Sequence, residues 1–497
     1  MLKHPLFFII SIWLLCLMQP QSIHAQKKSI DFSPNARKAY QLIMQLRFKE
    51  AEQKIQNIRT SEPNNYVTYF LENYIDFFSA FIGETDADFN KMKANKNMRL
   101  SMIDKTDPSS PYFLYCKAEM QLQWALARLK FEEYTRAFFE IKAAYKDLNS
   151  NTKKFPNFIL NKKSMGVLHA AIGTIPDEYR WGVSWLGGMD GTIDQGIREL
   201  ESVIRYDRPF LFRDEAIVMY AFVQLHLNND AENAWKVVSQ AGLDTDNSPL
   251  ACFALSNIAM RSGRNDVAIN ILMKRPGGSN YFPFHYLNFM LGMAKLHRLD
   301  PDADLYLKSY LRQFKGRNYI KEAYQKLAWS QLVEGNVAGY LMNNANIIKY
   351  GRAIVDEDKA ALREANAGQM PNIDLLKARL LYDGNYYQRS YQLLNSKKES
   401  DFNSVQERLE YNYRMGRVLH SLSNEAAALN YYMITLEKGK KYPNYYACNA
   451  ALNIGLIYEE KNNKAQARKY YNLCLSLSPS EYKSSLHQKA KAGLNRL

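Results

Sequence analysis

One spacing rule near the C-terminus limits this chain to a narrow set of folds. Ile454, Gly455, Tyr458, Ala467, Tyr471 and Pro479 put two small residues twelve apart, an aromatic four beyond the second and a proline eight beyond that. Two antiparallel helices approach closely only where side chains are small, so Gly and Ala belong at the crossing points. Aromatic and long aliphatic residues one turn away fill the grooves beside the crossing. Proline ends the second helix because it cannot continue the hydrogen-bond ladder. Each hairpin built this way leaves an apolar face that the next must cover. The rule predicts an all-α chain, an α-α superhelix of stacked hairpins.

The offsets recur upstream. Ala39, Leu42, Ala51, Ile55 and Pro63 keep them, as do Ala125, Ala137 and Ile141. Ala378, Leu381, Ser390 and Leu394 repeat them, and Gly416, Leu419, Ala428 and Tyr432 follow one unit before the terminal copy. Between Leu211 and Ile348 the pattern degrades. Phe222, Leu225, Ala234 and Val238 fit one hairpin, Ser256, Ala259, Ala268 and Leu272 another, and Gly292 and Ala328 mark two more. Breakers stand at Asn228-Asn229-Asp230, Ser262-Gly263-Arg264, Pro276-Gly277-Gly278 and Asp300-Pro301. At about 35–40 residues per unit, roughly twelve hairpins are expected. The segment Lys349 to Pro371, with Asp356-Glu357-Asp358, reads as an irregular connector or a polar helix. The chain divides into residues 1–25, N-terminal hairpins (26–160), a helical insert carrying Gly and Trp (161–205), degenerate repeats (206–370) and C-terminal repeats (371–497).

The first 25 residues carry a different signal. Lys3 precedes an apolar run from Leu6 to Met18, and a polar stretch ends at Ala25. A positive start, a short apolar stretch and a small final residue make a secretory signal peptide. The run is too short to span a bilayer. Leu15 precedes Cys16, where a lipid-attachment signal wants a small residue. An exported protein is expected, periplasmic or associated with an outer membrane. The formal charge is +15, which suits contact with anionic lipid or acidic glycan as well as a solvated Lys-rich surface. The densest basic cluster is Lys438, Lys440 and Lys441, so no specific nucleic-acid partner is expected. Cys116, Cys252, Cys448 and Cys474 form no CxxC pair and read as buried small apolar residues. Cys448 and Cys474 fall in the two helices of one hairpin, which leaves a bridge between them open.

Motifs of catalysis and metal binding are missing. None of the eight histidines falls in a ligand pair, and neither GxxxxGK[ST] nor GxSxG occurs. Asp300, Asp302 and Asp304 alternate like a calcium loop, but Leu305 and Leu311 stand where the loop needs Gly and Glu. A helix start, where acids oppose the dipole, explains them better. No catalytic, cofactor-binding or metal-binding residue is assigned, and an enzyme is not expected. One segment breaks the repeat: residues 173 to 191 hold five of the 23 glycines, with Trp181 and Trp185 four apart. Helical spacing puts those rings on one face. Tyr179, Arg180, Trp181 and Trp185 are the candidate partner-binding residues, with packing inside an internal hairpin as the other reading.

The repeats resemble the tetratricopeptide family, most closely from Gly455 to Pro479. Gly166, Ile175-Pro176, Leu186-Gly187, Gly191 and Gly196-Ile197 also resemble a stretch of the tetratricopeptide-39 and inclusion-body-clearance family. Those relatives are intracellular, and the leader of this chain departs from them. The resemblance implies a right-handed superhelix whose concave groove binds peptides or protein surfaces, with no catalytic residues. The function expected is an exported helical-repeat scaffold for protein partners in the cell envelope. The alternatives are a peripheral membrane- or glycan-associated factor and a hydrolase with an unrecognised site.

Overall fold

A computed structural model describes residues 27–175, 188–208 and 210–497, all helical in architecture, with no strand among the described residues. Among the described residues, 24 α-helices form eleven antiparallel hairpins and two single helices. The first three hairpins are α1 (Pro34–Met44) with α2 (Phe48–Ser61), α3 (Val67–Gly83) with α4 (Asp86–Ile103), and α5 (Pro111–Lys130) with α6 (Tyr134–Lys154). Next come α7 (Leu160–Gly173) with α8 (Ile193–Ile204), α9 (Arg213–His226) with α10 (Ala231–Gln240), and α11 (Pro249–Arg261) with α12 (Asn265–Lys274). Then follow α13 (Tyr286–Arg298) with α14 (Ala303–Gln313) and α15 (Ile320–Val333) with α16 (Val337–Lys349). The single helix α17 (Asp356–Ala367) is the polar helix foreseen between Lys349 and Pro371. The array ends with α18 (Ile373–Asp383) and α19 (Tyr387–Asn395), α20 (Val405–Ser421) and α21 (Glu425–Gly439), α22 (Tyr446–Glu460) and α23 (Lys464–Ser476), and the closing helix α24 (Lys483–Arg496).

The small-residue rule is visible at the crossings. A Cβ on Gly455 would lie 2.6 Å from the Tyr471 ring, and one on Gly416 would lie 2.7 Å from the Tyr432 ring. Each aromatic of the second helix therefore lies flat on the glycine of the first, which is why the two residue types travel together. Ala39, Ala51, Ala137, Ala234, Ala268, Ala428 and Ala467 are all fully enclosed at equivalent places. The turns within hairpins share a second device. Two residues before the second helix the backbone turns left-handed, at Leu46, Glu132, Asn229, Gly263, Gly335, Asn385, Ser423 and Asn462. Asn is well suited there; Leu46 and Glu132 hold the same geometry at a cost of about 1–2 kcal/mol each.

The winding is much tighter than a row of hairpins that touch only their neighbours. The inner faces of five consecutive first helices meet at one point. Lys163 on α7 is fully enclosed and bridges Glu119 of α5 at 2.8 Å and Glu215 of α9 at 2.5 Å. Tyr40 of α1 and Tyr74 of α3 each donate a hydroxyl hydrogen bond to Glu215, at 2.8 and 3.1 Å. Ser164 donates to Glu119. Burial opposes the charge on Lys163, and the two carboxylates outweigh it, so the ammonium is held above its ordinary range. Burial, together with the charge of Glu215, pushes Glu119 upward. Phe32, Phe70, Tyr115 and Phe212 close around the cluster. The inner wall of this half is thus filled by its own side chains, and the open groove expected along the whole array does not run through it.

One superhelical turn also rests on the next. The turns inside the first three hairpins meet the connections between later ones. Phe282 donates its backbone N–H to the Leu46 carbonyl at 2.7 Å, and Ser248 donates to the Met44 carbonyl at 2.7 Å. Glu84 accepts from the backbone and side chain of Asn318 at 3.1 and 3.0 Å. Arg317 reaches Asp86 at 3.0 Å and Glu132 at 2.7 Å, and Arg352 reaches Asp86 at 2.9 Å.

Gly166, Gly173, Gly191 and Gly196 of the Gly/Trp insert have a packing role. A Cβ on Gly196 of α8 would lie 2.2 Å from the carbonyl oxygen of Gly166 on α7. The two helices therefore cross backbone to backbone. Asp302 forms an ion pair with Lys295 at 2.9 Å and stands at the start of α14, and Asp300 pairs with Arg298, in keeping with the helix-start reading of the acidic triplet.

His297 supplies a pH signature. It lies on α13 against the turn at Gly384. Burial holds the imidazole down to about 4 from its ordinary 6.5; Lys326 and Arg379 add to this and Asp383 opposes it. The unfolded chain therefore takes up a proton between pH 6.5 and 4 that the folded chain refuses, and stability falls as pH drops through that window. A slope of up to about 1.4 kcal/mol per pH unit is expected from this group. Melting curves of the wild type and His297→Gln between pH 4 and 7 check it, with a shallower slope in the variant.

Candidate functional site

The four residues singled out by sequence, Tyr179, Arg180, Trp181 and Trp185, lie outside the described residues. The described residues gather a different set, on the last hairpins. There the first helices α18, α20, α22 and α24 pack on one another in order, and no pair of adjacent second helices packs comparably. Hairpins that touch along one edge curve toward it, so the first helices form the inner wall.

Two cations line this wall one residue past the small crossing position of their helices. Arg379 follows Ala378 on α18, and Arg417 follows Gly416 on α20. The Arg379 guanidinium lies 4.6 Å over the Trp329 ring of α15, and the same ring receives Lys326 at 4.1 Å. Arg417 lies 4.0 Å over Tyr382 and 5.8 Å from the Tyr413 ring. Arg379 has a distant carboxylate, Asp383, at 3.7 Å, and its side chain is 37 % exposed. Arg417 has no carboxylate within ion-pair distance among the described residues. A third cation, Arg414, is buried and paired with Glu410. Burial opposes the charge of Arg379 and Arg417; Asp383 favours it at both, alongside the hydroxyls of Tyr413 and Tyr382 at Arg417, so both are held above the ordinary range.

Aromatic side chains support these cations from within the wall. Tyr413 is fully buried and accepts a hydrogen bond from Asn449 at 2.7 Å. Its ring meets Tyr445 edge-on at 5.7 Å, and Tyr445 meets the half-exposed Tyr482 at 5.0 Å. Burial raises the Tyr413 hydroxyl well above its usual value, so it stays protonated. The guanidinium groups of this wall thus lie against aromatic rings, of which Trp329 and Tyr413 are buried. A guanidinium so placed recognises carboxylates by paired N–H donors.

On α15 the wall is covered from within the chain. Helix α17 lies across it, with Glu364 accepting from Trp329 at 2.8 Å and from Gln325 at 2.7 Å. Asp358 of α17 accepts the backbone N–H groups of Tyr319 and Glu322 at 2.7 and 2.9 Å, and burial lifts this carboxyl to about 6. The stretch that α17 leaves uncovered therefore begins at Arg379 and continues toward α24. Nothing in residue type alone marks it; the usable signal is an Arg directly after the small crossing residue, twice in successive repeats.

No helix among the described residues is long and apolar enough to cross a membrane, and no cluster of three metal-ligating side chains occurs among them. No curated protein matches the chain. Residues 449–481, which cover most of α22 and all of α23, match the family model of the tetratricopeptide repeat, the same hairpin in which Gly455 is seated on Tyr471.

Proposed function

We propose that this chain is a protein-interaction scaffold of the cell envelope, and that the inner wall of α18 to α24 is where it takes an extended acidic segment of a partner. The repeat match and the stacked helical architecture support a protein-interaction scaffold. The envelope setting is supported by the charged, apolar and small-residue pattern of residues 1–25. The groove reading is carried by Arg417, a cation placed over Tyr382 with no carboxylate within ion-pair distance among the described residues. A guanidinium in that state is ready to accept a carboxylate without first giving up another.

The test uses a fluorescent peptide of alternating Glu and Tyr as the probe. Substituting Arg379→Gln and Arg417→Gln together removes two charge-assisted contacts of about 1.5–3 kcal/mol each, so binding is expected to weaken at least tenfold while the far-ultraviolet spectrum stays unchanged. Equal binding by the variant sinks the groove reading. Binding to vesicles of anionic phospholipid that vanishes in moderate salt favours the peripheral-membrane alternative.

A further inference from the structure

We propose that Cys448 and Cys474 close a disulfide across the open end of the α22–α23 hairpin. The turn of this hairpin lies at residues 461–463, so its two helices are joined by the chain at one end only. Cys448 stands near the start of α22 and Cys474 near the end of α23, both at the far end from the turn. Their sulfurs are 3.5 Å apart, in contact. Both residues are enclosed, with Cys474 backed by the Leu486 carbonyl of α24 at 3.9 Å. The preceding hairpin places the buried Leu409 and Thr435 at the same two positions, so the fold does not need two thiols there. Cys116 and Cys252 are also buried, yet neither has a sulfur neighbour among the described residues.

Either sulfur can donate its S–H in this contact, so the order of attack is free. With a small-molecule disulfide as oxidant, the thiolate of one cysteine attacks one reagent sulfur and releases one thiol. The other cysteine then loses its proton, attacks the first protein sulfur and displaces the second thiol. The two protein thiols give up two protons and two electrons, and the reagent disulfide is reduced to two thiols. Because both sulfurs are enclosed in the finished fold, the exchange proceeds while the hairpin is still open.

The full chain, reduced and unfolded, is refolded in a mixture of oxidised and reduced glutathione. It is then trapped with N-ethylmaleimide in denaturant and mapped by peptide mass spectrometry. Cys448 and Cys474 are expected to lose both labels and to appear in one cross-linked peptide pair, while Cys116 and Cys252 stay labelled. Labelling of Cys448 and Cys474 at the reduced-control level, or their linkage to Cys116 or Cys252, overturns the proposal. The same mapping on the natively purified chain, held with oxidised glutathione at its urea midpoint, is the second measurement and has the same two outcomes.

Discussion

Lys163→Met is expected to destabilise the N-terminal half by about 3–5 kcal/mol, because it strands Glu119 and Glu215 in the interior without a cation. Methionine fills a similar volume, so the loss reports charge rather than a cavity. The pH dependence gives a check on the cause. With the ammonium gone, the burial of Glu119 acts without its counter-charge, so its folded pKa, already above the unfolded one, rises further. Such a group contributes stability at low pH that is lost as pH rises through the folded pKa. The deficit of Lys163→Met should therefore shrink between pH 8 and pH 5 in urea unfolding. Adding Glu119→Gln and Glu215→Gln to the variant should recover part of it at pH 8, since neutral amides cost far less to bury. A deficit under about 1 kcal/mol at pH 8 would show that the cluster contributes no more than a surface pair.

The second large effect concerns the crossing of α7 and α8. Gly196→Ala would bring a methyl group to 2.2 Å from the Gly166 carbonyl oxygen and 2.7 Å from the Ala170 backbone nitrogen. Those atoms belong to a helix backbone and cannot rotate away, so the helices must separate. A loss of about 3 kcal/mol is expected, at the top of the range for overpacking. Gly277→Ala is the control, because a Cβ there meets nothing within 4 Å and is expected to change the melting point little. Equal melting points for the two variants would mean that α7 and α8 pack less closely than described.

Hairpin positions were legible in sequence because their determinant is local. Gly455 with Tyr471 and Gly416 with Tyr432 are paired through one helix crossing, and the contact needs only the right residue types at the right offsets. Even the degenerate middle obeyed this: Ala234, Ala268 and Gly292 all sit at enclosed crossings. The candidate site was not legible in the same way. Arg379 and Arg417 look like ordinary surface residues until their helices are set side by side, whereas Trp181 and Trp185 drew notice by composition. The Lys163 cluster could not be foreseen at all. A lone Lys among apolar residues carries no mark of the two carboxylates, on other helices, that neutralise it.

By itself, the sequence determined that helices form, where they turn and which faces pair, since each of these follows from side-chain size and period over about forty residues. Only the tertiary structure decided how tightly the array winds. That property is the sum of small rotations between successive hairpins, and it brings together residues as distant as Tyr40 and Glu215 or Glu84 and Asn318. No periodic pattern encodes such a sum. It filled the inner wall of the first five hairpins and set Arg379 and Arg417 side by side on helices that α17 does not cover.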